Sequence, residues 1–576
     1  MTPKDMLLGD VERATLVEIV QDRAATFPDA IALRYLASGD VSGPLIELSY
    51  RDLLRRSCAI GAAFQHNHAD GDRALLVFPP GLEFVTAFFG CLFAGVIPVP
   101  VYPPELAQHE RTFSKLHAIV ADSGARFALT ASQYLPTLER MLPAGMQCIS
   151  TDTISTDLEA SWQMPAISSE TVALVQYTSG STGAPKGVVV RHRQLIANGR
   201  SIESKFGPVK LIVGWLPVFH DMGLIGNVLQ GLCCGSGLVL MSPVAFLKRP
   251  ARWLEAISHY RATTSGGPNF AYDLCVRRVT EEERARLDLS SWEVAFCGAE
   301  PIREATYRRF CSAFESCGFS RSSFYPCYGL AEATLFVAGA ARGTIPKTPA
   351  FRSAALDRGE VVVAGVDGGE ARSLMSCGKP ASSEEVRIVD SECLTSTDRI
   401  GEIWVRGPAV ASGYWGREAE SGAVFGARLA TGEGPFLRTG DLGFLHEGEL
   451  YVAGRIKDVI ILAGRNIFPQ DIEATVEAAV PSVRKGCCVA FSVDRDSGEK
   501  LVIMIEHDGS SAVEVVRTIK RAVVEHHQAS VFEVVLVGKG AILKTSSGKL
   551  ERYACRQAYL GRKSICTPRS KSAIAS

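Results

Sequence analysis

The sequence has no excess of charge of either sign and no Cys-x2-Cys spacing. Its 61 basic and 62 acidic residues give a formal net charge of −1. A chain with balanced charge has no overall attraction to nucleic acid or to an anionic membrane, so we expect no nucleic-acid partner and only local anion sites. The 16 cysteines lack the spacing typical of zinc sites and favour scattered reduced thiols. We therefore expect a cytoplasmic protein.

Long apolar segments are also scarce. Residues 1–13 are charged and lack an apolar core, so we expect no secretory signal. Residues 84–104 are free of charge but contain prolines at 98, 100, 103 and 104. Because proline interrupts a helix, we interpret this stretch as a buried helix at 84–95 followed by a buried strand at 96–101, rather than as a membrane span.

Residues 177–188 read Tyr-Thr-Ser-Gly-Ser-Thr-Gly-Ala-Pro-Lys-Gly-Val. The glycines relieve backbone restrictions, and the hydroxyl groups and the ammonium of Lys186 are suited to phosphate. Valine-containing runs at 172–175 and 188–190 predict a loop between two strands. A nucleotide P-loop has Gly-Lys-Ser/Thr leading into a helix, so this pattern disfavours a kinase or GTPase.

The hydrophobic pattern predicts an α/β protein. A helix is expected to begin at Ser49, and helical patterns alternate with short apolar runs, which is typical of βαβ units with parallel strands. The runs are 74–78, 96–101, 211–216, 238–241 and 294–297. From 360 to 451 the pattern changes to short β-rich pieces, among them 361–364, 386–389 and 402–405. These pieces predict a smaller sheet or barrel.

A compact segment begins near Gly454 and includes a helix that starts at Pro469, with Asp471 and Glu473 in its first turn. We expect an N-terminal domain over 1–456, built from layered βαβ subdomains and a β-rich subdomain. A small mobile α+β domain is expected over 457–562. The Ser/Arg/Lys-rich residues 563–576 are predicted to be a disordered tail.

Six further stretches follow the phosphate loop in order. They are 215–224 (Trp-Leu-Pro-Val-Phe-His-Asp-Met-Gly-Leu), 296–301 (Phe-Cys-Gly-Ala-Glu-Pro), 328–334 (Tyr-Gly-Leu-Ala-Glu-Ala-Thr), 437–443 (Leu-Arg-Thr-Gly-Asp-Leu-Gly), 454–458 (Gly-Arg-Ile-Lys-Asp) and 544–549 (Lys-Thr-Ser-Ser-Gly-Lys). In this order they resemble the core motifs of the adenylate-forming (ANL) superfamily, which includes acyl-CoA synthetases, luciferases and nonribosomal peptide adenylation domains. The resemblance extends from Leu48 to Arg552.

Within that superfamily, residues 90–104, 328–336 and 464–473 resemble fatty acyl-AMP ligases, which serve polyketide and lipopeptide assembly lines. The resemblance implies that a fatty acid and ATP form acyl-AMP with release of pyrophosphate. The acyl group then passes to the phosphopantetheine thiol of an acyl carrier protein. Residues 341–374 match an insertion that is thought in this family to obstruct the coenzyme A route.

The resemblance also implies the roles of individual residues. Lys549 would be the catalytic lysine, His220 would lie near the acyl carboxylate, and Glu332 would hold Mg²⁺. Tyr328 would stack on adenine and Asp441 would bind the ribose. The remaining predicted nucleotide-binding residues are Thr178, Ser179, Gly180, Ser181, Thr182, Gly183 and Lys186 at the pyrophosphate, and Gly298, Ala299, Glu300, Gly329 and Arg455 around the adenosine.

The C-terminal domain would swing about Lys457 between the two reaction steps, because Lys549 lies far along the chain from the other motifs. Leu543 replaces the proline that usually precedes the last motif in this family. This departure could loosen the loop without removing the lysine. Residues 215–232 and 266–274 are expected to form the walls of the acyl pocket.

Three alternatives remain open at this stage. An acyl-CoA synthetase would use the same adenylation chemistry but a different thiol. An amino-acid adenylation domain would need an acid near the pocket mouth to hold the α-amine, and no residue can be assigned to that role. A non-catalytic nucleotide-binding protein or scaffold is disfavoured by the joint presence of Lys186, Glu332, Asp441 and Lys549.

Overall fold

A computed structural model of the chain describes residues 14–66, 69–102, 110–178, 185–365, 370–390, 393–462, 465–495, 498–507, 511–545 and 548–561. These residues form two compact units. Within the described ranges, the larger unit comprises 14–178, 185–353 and 361–453, and the smaller unit comprises 354–360 and 454–561. The predicted tail, 563–576, lies outside the described residues.

The α-helices are α1 (Leu16–Thr26), α2 (Tyr50–Gln65), α3 (Glu83–Ala94), α4 (Glu110–Ser123), α5 (Leu135–Met141), α6 (His192–Phe206), α7 (Asp221–Gly223), α8 (Gln230–Cys234), α9 (Pro243–Lys248), α10 (Ala251–Tyr260), α11 (Asn269–Arg278), α12 (Glu281–Arg284), α13 (Glu304–Phe314), α14 (Ser353–Leu356), α15 (Glu418–Phe425), α16 (Pro469–Ala479), α17 (Ala512–His527) and α18 (Arg552–Gly561). A π-helix, Leu224–Leu229, joins α7 to α8.

The strands before residue 456 are β1 (Ile31–Leu36), β2 (Leu45–Ser49), β3 (Arg73–Leu76), β4 (Ile97–Pro100), β5 (Phe127–Thr130), β6 (Gln147–Ser150), β7 (Val172–Thr178), β8 (Lys186–Arg191), β9 (Ile212–Gly214), β10 (Leu238–Met241), β11 (Thr264–Gly266), β12 (Val294–Cys297), β13 (Phe324–Tyr328), β14 (Ala338–Gly339), β15 (Ala350–Arg352), β16 (Ala371–Ser373), β17 (Lys379–Pro380), β18 (Glu385–Asp390), β19 (Thr395–Ser396), β20 (Gly401–Arg406), β21 (Leu437–His446) and β22 (Glu449–Arg455). The later strands are β23 (Ile460–Leu462), β24 (Arg465–Ile467), β25 (Cys488–Arg495), β26 (Gly498–Glu506) and β27 (Val531–Val537).

Two sheets built mainly of parallel strands form the layers of the larger unit. A nine-stranded sheet has the order β17-β14-β13-β12-β11-β9-β10-β1-β2, in which the strands from β13 to β1 are parallel. Strands β14 and β2 run antiparallel to them, and β17 pairs antiparallel with β14. A second sheet, β4-β3-β5-β6, is wholly parallel. The predicted α/β class and the parallel βαβ units are therefore confirmed, since β9, β10 and β12 coincide with predicted apolar runs.

Local sequence explains the β3-α3-β4 unit. Eleven residues of α3 are buried, from Phe84 to Ala94, and Gly95 ends the helix with a left-handed backbone (φ 73°). The buried strand β4 contains Pro98 and Pro100 and lies at the sheet edge, where a missing N–H donor is tolerated. In the described part of the chain, no helix combines the length and apolar character needed to cross a membrane.

The β-rich region is a five-stranded sheet of order β19-β18-β20-β21-β22. The predicted pieces at 386–389 and 402–405 lie in β18 and β20. The piece predicted at 361–364 was wrong as a strand, because only Val363 pairs there, through an isolated bridge to Phe351. Residues 361–364 make two backbone hydrogen bonds to this partner, from the Arg352 N–H to the Val362 carbonyl and from the Ala364 N–H to the Ala350 carbonyl, which form one bridge and no extended ladder.

The smaller unit has its own core around a three-stranded sheet, β25-β26-β27. Ile472 and Val476 of α16 pack there with Ile519 and Val523 of α17. Pro469 opens α16 as predicted, but Glu473 is not a first-turn surface acid. It is fully buried and receives hydrogen bonds from Arg552.

Candidate functional site

The carboxyl ends of β12 and β13 bring two predicted nucleotide segments to one edge of the nine-stranded sheet. These strands are parallel neighbours, so residues 298–300 and 329–334, which follow them, leave the sheet side by side. Ala299 (φ 72°) and Thr334 (φ 65°) have left-handed backbones. Strain of this kind at non-glycine residues clusters at binding sites. The structure therefore brings the predicted adenine wall to the same edge as Glu332.

Tyr328 and Asp441 are buried partners in the larger unit. Tyr328 ends β13, and its hydroxyl donates a hydrogen bond of 2.9 Å to Asp441 Oδ2 in β21. The two residues are 7% and 6% exposed. The backbone N–H of Asp441 also donates to Thr439 Oγ1, at 3.1 Å. The ring predicted to meet adenine and the carboxylate predicted to meet ribose are thus direct neighbours.

Lys186 begins β8, which forms an antiparallel pair with β7 and places Thr178 opposite the lysine. The predicted loop between two strands is confirmed at its two ends. A Cβ at Gly187 would lie 2.6 Å from Val175 Cγ1 and 3.0 Å from Tyr177 Cζ, so close packing of the hairpin requires glycine there. The loop residues Ser179, Gly180, Ser181, Thr182 and Gly183 lie outside the described residues.

Tyr414 connects Lys186 to Glu332. The segment around Tyr414 runs beside β8, with a bridge to Val188 and a hydrogen bond of 2.7 Å from the Trp415 N–H to the Gly187 carbonyl. Lys186 Nζ lies 5.1 Å from the centroid of the Tyr414 ring. The Tyr414 hydroxyl donates to Glu332 Oε1 at 3.0 Å. The Tyr414 side chain therefore lies between the Lys186 ammonium and the Glu332 carboxylate and contacts both.

The electrostatics of Tyr414 favour the neutral phenol. Burial raises the pKa of its hydroxyl, and the adjacent Glu332 carboxylate raises it further. A protonated hydroxyl can act as the donor to Glu332 at neutral pH. The contact with Lys186 is a cation–π contact, which also needs no ionised oxygen.

An alternating set of charges surrounds Lys186. Its ammonium pairs with Glu420 Oε1 of α15. Arg417 lies one turn before Glu420, with 3.7 Å between Arg417 Nη1 and Glu420 Oε2, and its Nη2 donates to Asp122 Oδ1 at 2.7 Å. Asp122 Oδ2 accepts a 2.7 Å hydrogen bond from Tyr177. Positive and negative side chains therefore alternate from Lys186 through Glu420 and Arg417 to Asp122.

His220 precedes α7 and is tied to the phosphate hairpin through its neighbour. Gln176 Nε2 of β7 donates to the Phe219 carbonyl at 3.0 Å. His220 Nδ1 lies against Asp221 Oδ1, and the Met222 N–H donates to the same oxygen at 2.8 Å. The structure thus links the predicted acyl-end residue to the strand that leads into the phosphate loop.

The two predicted walls of the acyl pocket are in contact. Trp215 and Phe270 have ring centroids 5.9 Å apart. A Cβ at Gly267 would lie 2.7 Å from Trp215 Cζ2, so the small residue allows the indole to approach. Trp215 also stacks on Phe246, with 4.0 Å between centroids. This wall is therefore aromatic rather than a simple aliphatic surface.

Three predicted site residues belong to the smaller unit. Arg455 ends β22, and Lys457 lies in the 3₁₀ turn Ile456–Asp458. The Lys549 N–H donates to Thr545 Oγ1 at 3.1 Å, and its carbonyl accepts from the Thr545 N–H at 2.8 Å. These bonds join Thr545 to Lys549 and hold the backbone of the lysine.

The replacement at Leu543 has a structural consequence. Its N–H donates to Cys555 Sγ at 3.3 Å, a bond that proline could not make. The Leu543 carbonyl accepts from the Glu551 N–H at 2.9 Å. The segment before Lys549 is therefore held at both backbone groups of Leu543.

Sequence reasoning missed Tyr414, Arg417 and Glu420. Tyr414 is 82 residues from Glu332, Glu420 is 234 residues from Lys186 and Arg417 is 295 residues from Asp122. None of the three lies in a phosphate-type motif. Their one signal is a Gly-Tyr-Trp sequence before a short acidic helix, which would ordinarily indicate a turn and a helix start. The pairing of the segment around Tyr414 with β8 brings these three residues to the site.

Comparison with known proteins gives matches over nearly the whole chain. Residues 20–415 match the family described as AMP-binding enzyme, and residues 457–567 match the Disco-interacting protein 2-like AMP domain. The chain is 43% identical to the medium-chain-fatty-acid–[acyl-carrier-protein] ligase JamA of Moorena producens, covering 95% of each. It is 39% identical to the long-chain-fatty-acid–AMP ligase FadD26 of Mycobacterium bovis, covering 94% of this chain and 96% of the relative.

A solved structure of similar sequence carries ligands. It is the fatty acyl-adenylate ligase from L. pneumophila in complex with acyl adenylate and pyrophosphate, with a TM-score of 0.75, 39% identity and coverage of 95% of this chain and 96% of that one. The identity and coverage of these matches are well above those that show only a shared fold. The chain belongs to the AMP-binding enzyme family and, within it, to the fatty acyl-AMP ligases.

Proposed function

We propose that this chain activates a fatty acid with ATP to acyl-AMP, releasing pyrophosphate. It then transfers the acyl group to the phosphopantetheine thiol of an acyl carrier protein. The product would supply polyketide, lipopeptide or lipid biosynthesis. The observation that carries the proposal is Tyr414, which holds the Glu332 carboxylate by a 3.0 Å hydrogen bond and lies under the Lys186 ammonium.

The chemistry explains why these groups are needed together. A fatty carboxylate must attack the α-phosphorus of ATP, although both partners are anions. Lys186 is proposed to offset charge on the outgoing pyrophosphate, together with Thr178 and the loop residues 179–183. Because Lys186 is only 12% exposed, its charge is poorly screened and acts strongly on a bound phosphate.

The donor set also fits a magnesium ion. Glu332 supplies a carboxylate, the oxygen ligand that hard cations prefer, and phosphate oxygens would complete the coordination. Bound there, Mg²⁺ would neutralise charge on the phosphate oxygens. Tyr414 orients the Glu332 carboxylate for this role through its hydrogen bond to Oε1.

The adenosine would occupy the edge formed by residues 298–300 and Tyr328. Tyr328 is proposed to stack on adenine and Asp441 to accept the ribose hydroxyls, with Gly329 and Arg455 contributing to the same ligand. The hydrogen bond between Tyr328 and Asp441 would fix the ring and the carboxylate relative to each other before the nucleotide binds. Such preorganisation reduces the ordering cost of binding.

The acyl end is assigned to His220 and Lys549. His220 is proposed to lie near the fatty carboxylate, and Lys549 to stabilise the charge that develops as the carboxylate attacks. Lys457 is proposed as the pivot for the domain over 457–562. The free thiols of the described cysteines, fifteen in number, support a reducing, cytoplasmic location.

A pyrophosphate-release screen across fatty acids tests the proposal. Release should require both ATP and a fatty acid, and the acyl group should appear on a holo-acyl carrier protein. The same reaction with coenzyme A as acceptor is the comparison. Efficient acyl-CoA formation would favour an acyl-CoA synthetase, and the absence of fatty-acid-dependent pyrophosphate release would contradict adenylation altogether.

Replacement of the proposed catalytic lysine isolates the chemical step. Lys549→Ala should lose most acyl-AMP formation, by about 10²-fold or more, because one preorganised charge is removed from the transition state. ATP affinity, measured by calorimetric titration, should stay close to that of the parent enzyme. Normal adenylation by the variant would refute the role of Lys549.

A further inference from the structure

The charge on Lys186 is already neutralised by a residue of its own unit. Glu420 of α15 pairs with the ammonium through Oε1. The lysine side chain is 12% exposed and that of Glu420 is 36% exposed, so the carboxylate lies on the solvent side of the pair. A phosphate that binds the same ammonium must therefore compete with Glu420 for it.

Arg417 is a second cation close to the Glu420 carboxylate. Arg417 Nη1 lies 3.7 Å from Glu420 Oε2. Arg417 is itself anchored, because its Nη2 donates to Asp122 Oδ1 at 2.7 Å and to the Pro185 carbonyl at 3.2 Å. If Glu420 leaves Lys186, its charge stays paired, which lowers the cost of the exchange.

We propose that Glu420 is a displaceable counter-ion for Lys186: it holds the ammonium in place, gives it up to the outgoing phosphates of ATP, and is then retained by Arg417. This inference rests on the proposed function, which assigns Lys186 to pyrophosphate. Glu420 is accordingly a positioning residue that lowers the affinity for ATP and pyrophosphate. Lower affinity for pyrophosphate favours its departure after adenylation.

AMP, which carries only the α-phosphate, provides the comparison ligand. AMP lacks the β- and γ-phosphates that Lys186 would bind, so a competitor for Lys186 should change the affinity for ATP and pyrophosphate and leave that for AMP unchanged. A structural role for Glu420 would instead alter all three affinities together. The selectivity among ATP, pyrophosphate and AMP is therefore the diagnostic readout.

The test compares Glu420→Gln with Glu418→Gln. Glu418 is an exposed acid two residues earlier in α15, so its replacement makes the same charge change without touching the pair. Isothermal titration should show about tenfold tighter binding of ATP and pyrophosphate to Glu420→Gln, because one like charge has been removed beside the phosphates. AMP affinity should be unchanged, and Glu418→Gln should match the parent for all three ligands.

Further variants distinguish failure of the Glu420 proposal from failure of the Lys186 assignment. Glu420→Ala should reproduce the tighter binding and serves if the glutamine variant does not fold. Unchanged or weaker ATP binding by both Glu420 variants, while Lys186→Ala weakens ATP binding, would overturn the counter-ion role and leave the proposed function intact. ATP binding that Lys186→Ala does not weaken would instead remove Lys186 from the proposed phosphate site.

Discussion

At the residue scale, Glu384 is a carboxyl buried without full hydrogen bonding. It is 7% exposed, and its Oε2 accepts no hydrogen bond from the described residues. Ser383 Oγ lies 3.4 Å from Oε1. Burial raises the pKa of Glu384 to about 7, although hydrogen bonds from Ala409 and Ser383 act in the opposite direction. The charged form is therefore the costly one.

The raised pKa predicts how stability depends on pH. Below the ordinary value of 4.5 the carboxyl is protonated in both the folded and the unfolded chain. As pH rises to about 7, only the unfolded chain loses the proton, so the free energy of unfolding falls, by about 3 kcal/mol for this group. Glu384→Gln should remove this fall. Urea unfolding at pH 5 and pH 8 measures it, and parallel profiles for parent and variant would contradict the assignment.

At the element scale, the segment 341–374, which we predict to be a family-specific insertion, packs against the five-stranded sheet through Phe351. β15 and β16 form an antiparallel pair, and Phe351 of β15 is fully buried. Its ring lies 5.1 Å from that of Phe444 in β21 and 5.6 Å from that of Tyr451 in β22. Both contacts are edge-to-face, the geometry that aromatic pairs prefer.

Truncation of this anchor tests what the insertion does. Phe351→Ala should lower the free energy of unfolding by about 3–5 kcal/mol through loss of burial and a cavity. If the insertion obstructs coenzyme A, the loosened hairpin should also raise the ratio of acyl-CoA to acyl-carrier-protein product. Both products can be counted in one thioester assay.

Val363→Ala is the matched control for that variant. Val363 belongs to the same insertion but is 48% exposed, so its truncation should leave both stability and acceptor ratio near the parent values. An unchanged acceptor ratio in Phe351→Ala, despite the loss of stability, would argue that the insertion does not select the thiol.

At the scale of the whole molecule, the two units have separate hydrophobic cores. Within the smaller unit, a buried ion pair joins α16 to α18. Arg552 donates to Glu473 through Nη2 at 2.7 Å and through Nε at 3.0 Å. The Arg552 side chain is 20% exposed and that of Glu473 is fully buried. Removing only the arginine would leave an uncompensated charge in the core.

Separate cores predict separate unfolding transitions, one of which Arg552 should control. Arg552→Met should destabilise the smaller unit by about 3–5 kcal/mol and lower its transition in scanning calorimetry, with little effect on that of the larger unit. The double variant Arg552→Met/Glu473→Leu should recover most of the loss, since no buried charge remains. A single transition shifted as a whole would contradict independent unfolding.

The sequence predicted the elements whose signals are local. Ser49 caps α2 through a hydrogen bond from the Asp52 N–H, and Pro469 opens α16, both by chemistry within one helical turn. The apolar runs of the parallel strands were visible because strands buried on both faces are continuously hydrophobic. The motifs identified the family because their order along the chain is itself a property of the sequence.

Contacts between distant residues were decided only by the tertiary structure. Glu473 read as a helix-start acid, and only the approach of α18 made it the buried partner of Arg552. The Gly-Tyr-Trp sequence indicated only a turn and a helix start, because Glu332 and Lys186, the partners of Tyr414 and Glu420, are brought to them by pairing beside β8. Residue type and short-range spacing determine which chemistry the chain can carry, whereas the charge each site group experiences depends on neighbours that folding alone brings near.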